Sequence, residues 1–183
     1  PPMRAHLVPH PLPRRAGLPR GASALPDQAD AVRLRGEARV GKYPLRCVVV
    51  FDRIAQRGER SGGANFQDHA QLTSARQKMV KSAVVMADQL RADAIIVFTI
   101  RGHMARYVGW MRPRFTPTFA VCERQAIADS LTLTWGVTPI VVPFDYENPE
   151  KTITAALTRL KETGYLKSGQ IAVVISSIAA SEC

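Results

Sequence analysis

The chain has 183 residues, a formal charge of +10 and 46% apolar residues, which predicts one domain with an appendage and a core burying about 70% of the unfolded surface. No apolar run reaches the roughly 18 residues of a membrane span, and the first residues lack the apolar core of a signal peptide. Cys47, Cys122 and Cys183 lie far apart, are odd in number and show no zinc-ligand spacing, so they read as free thiols in a reducing cytoplasm rather than as a metal site or disulfide framework.

The charge is uneven. Residues 1–60 carry 12 Lys and Arg against 5 Asp and Glu, while residues 61–183 carry 13 against 10. The second part is close to neutral, and its basic side chains are not interleaved with aromatics as a single-strand binding surface would be. Nucleic acid is therefore not an expected partner, since a basic tail alone gives only salt-sensitive, nonspecific affinity.

Residues 1–26 hold seven of the thirteen prolines and few large apolar residues. Such a segment buries too little surface to offset its ordering entropy, so residues 1–29 are expected to form a disordered arm. Asp30 to Leu34 is a weak strand candidate. From Tyr43 to Arg57 the pattern is helical, with Pro44 in the first turn and Leu45, Val48, Val49 and Ile54 on one face. Gly58, Gly62 and Gly63 mark a loop over 58–72, in which the isolated His69 reads as solvent-exposed. A helix follows from Thr73 or Ser74 to Arg91. Its apolar stripe, Ala75, Met79, Ala83, Met86 and Leu90, widened by Val80, Val84 and Ala87, predicts burial against a sheet with both methionines in the core.

Ala94 to Phe98 is an apolar, β-branched run that suits a strand buried on both faces of a parallel sheet. It leads through Gly102 into a helix over His103 to Met111. The unit then repeats: a strand from Thr118 to Val121, a helix from Glu123 to Thr134, a strand from Val137 to Val142, a helix opened by Asn148 and Pro149, and a strand from Ile171 to Ile175. Strands alternating with helices give an α/β fold, a three-layer αβα sandwich with a mainly parallel sheet of four to five strands.

No HExxH, Walker, GxSxG or GxGxxG pattern is present, and no catalytic or metal-binding set is expected in this chain. Glu37, after Gly36, is the one acid whose setting resembles an active-site rim. The best candidate site is the turn Thr99-Ile100-Arg101-Gly102-His103. A strand that feeds a glycine turn and then a helix start points amides and the helix dipole at one spot, and a hydroxyl and a guanidinium there can hold phosphate. Thr99, Arg101, Gly102 and His103 are the predicted phosphate ligands; a purely structural turn with a solvated arginine is the competing reading.

Four stretches share a further pattern. Asp30 to Ala38 reads D-A-V-R-L-R-G-E-A and is followed by V-G-K-Y-P at Val40 to Pro44. Ala94 to Ala105 is followed by Arg112-Pro113-Arg114. Leu133 to Pro139 reads L-T-W-G-V-T-P, and Gly164 to Gly169 reads G-Y-L-K-S-G. In this order they resemble the C-terminal part of pyruvate kinases over roughly Asp30 to Ala180. The resemblance implies that residues 30–60 are a remnant of the last strand and helix of a catalytic barrel. Residues 61–183 would be the α/β domain that regulates the enzyme and assembles tetramers.

By the same resemblance the turn at Thr99 to Met104 is where some members hold a sugar-phosphate activator, although Arg101 replaces a serine and Met104 a hydroxyl residue. The parent reaction moves a phosphoryl group from phosphoenolpyruvate to ADP with Mg²⁺ and K⁺, whose ligands lie on barrel strands preceding residue 30. The chain alone is thus expected to be inactive and to hold neither cation. Its partners would be an anionic effector, further copies of itself or a separate barrel chain, with no membrane. Residues 1–28 match nothing expected at that position and would fit a shifted reading frame.

Overall fold

The computed structural model describes residues 5–7, 31–34, 36–60 and 71–176. The chain divides into two compact units, residues 1–69 and 70–183. In the first, strand β1 (Ala5–Leu7) pairs in parallel with β2 (Ala31–Arg33), Ala5 opposite Ala31. Ala5–Leu7 was expected to belong to a structureless arm. Ladder pairing engages only main-chain groups, so the segment's poor apolar content does not prevent it. The remainder of residues 1–29, and His69, lie outside the described residues.

A short helix α1 (Glu37–Val40) follows Gly36, whose φ of 74° favours glycine, and α2 runs from Pro44 to Arg60. Proline opens α2 because its missing N–H would have no intrahelical acceptor there. Leu45 is 81% exposed and Val48 and Val49 about half exposed.

The second unit begins with α3 (Ala75–Leu90). Ser74 caps it: the Ser74 hydroxyl accepts the Gln77 N–H (3.3 Å), and the Gln77 side-chain oxygen accepts the Ser74 N–H (3.1 Å). Then come β3 (Ala94–Phe98), α4 (His103–Met111), β4 (Thr118–Cys122), α5 (Gln125–Leu131), β5 (Val137–Val141), α6 (Pro149–Glu162) and β6 (Ala172–Ile175). The four strands are all parallel in the order β5-β4-β3-β6.

Because successive strand residues point to opposite faces, β3 feeds two cores. Ile95 and Val97 pack with Val80, Val84 and Ala87 of α3, with Ala105 and Val108 of α4 and with Leu131 of α5. Ala94, Ile96 and Phe98 pack with Phe119, Val121 and Phe144 and with Ala156 and Leu160 of α6. Helices on both faces of the sheet make the predicted three-layer sandwich.

Two details differ from the sequence reading. On α3 the row Val80, Val84 and Ala87 is buried, whereas Met79, Met86 and Leu90 are 45–52% exposed. The helix meets the sheet along one row and leaves the row about 100° away in solvent. Helix α5 is also shorter than Glu123–Thr134. Arg124 is still extended at its start, and the Thr134 N–H bond to Leu131 O (2.8 Å) with Gly136 at φ 67° turns the chain into β5.

Candidate functional site

The turn after β3 is built by a few directed bonds. Thr99 N–H donates to Val121 O of β4 (2.9 Å), which carries the ladder one residue past the strand. The Thr99 side chain is 3% exposed, and its Oγ1 accepts the Gly102 N–H at 2.9 Å. That bond closes the loop. Gly102 is buried at φ 80°, a left-handed conformation that starts α4 without a side-chain cap. The first intrahelical bond runs from Arg106 N–H to Gly102 O (3.1 Å). The amides of His103, Met104 and Ala105 therefore point out of the helix start.

Arg101 and His103 are both exposed beside these amides. Met104 is 6% exposed and packs into the core under α4, so it does not face the turn. The structure adds a cation that the sequence reading did not single out. Arg106 lies against Gly102, with its Nη1 3.4 Å from where a Cβ would stand, and its Nη2 donates to Ser130 Oγ of α5 at 3.0 Å. Its position one turn into α4 was the available signal.

The place of the turn in the sheet is also informative. From β3 the chain moves through β4 to β5 on one side, while β6 lies on the other side of β3. The carboxyl end of β3 is thus the point where the strand order reverses, the crevice in which open α/β sheets bind ligands. Thr99, Arg101, Gly102 and His103 come together there, with Arg106 behind them. Thr99 and Gly102 are buried and bonded to each other, so they shape the turn, and the groups left facing outward are the amides of the helix start with Arg101 and His103, a set suited to phosphate.

The rest of the rim is different chemistry. Tyr146 Oη donates to Glu123 Oε2 (3.0 Å), a bond that pushes the phenol's pKa up. Burial pushes the Cys122 thiol up, and its Sγ is directed at the Arg124 and Ile140 carbonyls. A groove of about 660 Å³ runs along α6 and the end of β5, lined by none of the turn residues; two of its cations have carboxylates nearby, Lys151 meeting Asp145 at 3.7 Å and Arg159 meeting Glu162 at 3.8 Å. Glu37 opens α1 in the other unit. Among the described residues no three His, Cys, Asp or Glu side chains are grouped to hold a metal, and no helix is long and apolar enough to cross a membrane.

The family model described as "Pyruvate kinase, alpha/beta domain" matches residues 77–182. The chain belongs to the pyruvate kinase family. It is 33% identical to pyruvate kinase 2 of Synechocystis, an alignment covering 92% of this chain and 28% of that protein. Against the chloroplastic pyruvate kinase isozyme G of Ricinus communis it is 35% identical over 96% of this chain and 42% of that protein. A crystal structure of a pyruvate kinase from Cryptosporidium parvum superposes with a TM-score of 0.74 at 27% identity, covering 91% of this chain and 34% of that one.

The chain thus spans about 28–42% of the length of these pyruvate kinases. Coverage of 96% of this chain also corrects the expectation that residues 1–28 match nothing in the family: so long an alignment has to include part of them.

Proposed function

We propose that this chain is the C-terminal regulatory and assembly part of a pyruvate kinase, and that alone it does not transfer a phosphoryl group from phosphoenolpyruvate to ADP. The observation that carries this is the family match over 77–182 falling on the parallel α/β unit. The parent reaction's Mg²⁺ and K⁺ would be held by barrel residues outside this chain. The test is a coupled assay with phosphoenolpyruvate, ADP, Mg²⁺ and K⁺ on the chain alone and on the chain mixed with a separate barrel. Turnover by the chain alone overturns the reading; turnover only on mixing makes it one part of a two-chain enzyme.

In this reading the turn Thr99–His103 binds an anionic effector, a sugar phosphate or another phosphometabolite. Its support is the convergence of outward amides, Arg101, His103 and Arg106 at the reversal of strand order. In the same reading copies of the chain associate through the α/β unit, on which Met79, Met86 and Leu90 of α3 form an exposed apolar row. A reducing compartment is proposed for it, since Cys47 and Cys122 are free thiols.

A further inference from the structure

We draw no further inference here: the strongest candidate, the side-chain cluster of Arg106 and Ser130 between α4 and α5 beside Gly102, belongs to the site already described at the start of α4.

Discussion

Gly109 is the residue on which the packing of α4 turns most directly. A Cβ there would stand 2.8 Å from Thr134 Cγ2 and 2.9 Å from the Trp135 carbonyl oxygen, so the helix approaches the α5–β5 connection to the limit that a bare Cα allows. The threonine methyl can move, but the carbonyl belongs to a turn held by Thr134 N–H and Leu131 O. Gly109→Ala should therefore destabilise the chain by about 1–3 kcal/mol, seen as a lower denaturation midpoint with an unchanged slope. The glycine sat unmarked inside a helical pattern, because close approach depends on an element 25 residues later. Cys122 illustrates the reverse, where sequence and structure agree. A buried thiol with a raised pKa carries little thiolate, so iodoacetamide at neutral pH should label the partly buried Cys47 and leave Cys122 intact until the chain unfolds. Labelling of Cys122 in the folded chain at the rate of Cys47 would contradict its burial.

At the scale of elements, the start of α6 gives a prediction with a definite direction in pH. Asp145 Oδ1 accepts N–H bonds from Asn148 (2.8 Å) and Glu147 (3.1 Å), and Lys151 is near its other oxygen. The Asn148 amide, outweighing desolvation and helped by Lys151, holds the carboxyl below the usual aspartate range. A carboxylate whose folded pKa is depressed stabilises the fold above its unfolded pKa of about 3.9 and loses that contribution as pH falls through the folded value. Asp145→Asn should accordingly flatten the acid limb of the stability curve below about pH 4 and change little at pH 7 beyond the lost bonds. An acid limb identical to wild type would show that these bonds do not persist in solution. Elements of this kind were largely legible in advance: β3, α4 and the Pro149 start of α6 follow from apolar runs, a glycine turn and a cap. What sequence could not decide was which row of α3 faces the sheet. Val80, Val84 and Ala87 satisfy the helical period as well as Met79, Met86 and Leu90 do, and only the contact with β3, α4 and β6 chooses between them. The candidate turn was legible as a turn for the same local reason, since Thr99 to His103 is one continuous stretch between β3 and α4. Arg106 was not, because its role depends on Ser130 in α5.

For the whole molecule, the two edges of the parallel sheet are unequal. On β5 the Val142 N–H bond to Cys122 O sets Val137, Pro139 and Val141 facing outward. Pro139 has no N–H to offer and Val137 N–H is taken by Thr134 O (3.3 Å), so this edge cannot support a further ladder. On β6 the Asp93 N–H bond to Ile171 O sets Ala172 and Val174 outward, with no proline or charge to blunt them. Asp93 also fixes β6 from its start, its carboxylate accepting both the Gln170 side-chain amide and the Ile171 N–H at 2.9 Å. Helix α3 lies against β6, so any growth or association of the sheet is directed to the α3–β6 flank. Among the described residues both hydrophobic clusters lie within residues 72–175, which gives this unit a core of its own. A chain beginning at Gln71 should then retain the cooperative thermal transition and far-ultraviolet circular dichroism of the α/β unit, with Leu72 still covering its first cluster. It should also lose the apolar surface of Leu45, Val48 and Val49 and be the more soluble form. If the shortened chain melts without cooperativity, the core of the α/β unit depends on the first 70 residues, and the division of the molecule at residue 69 is not a division in stability.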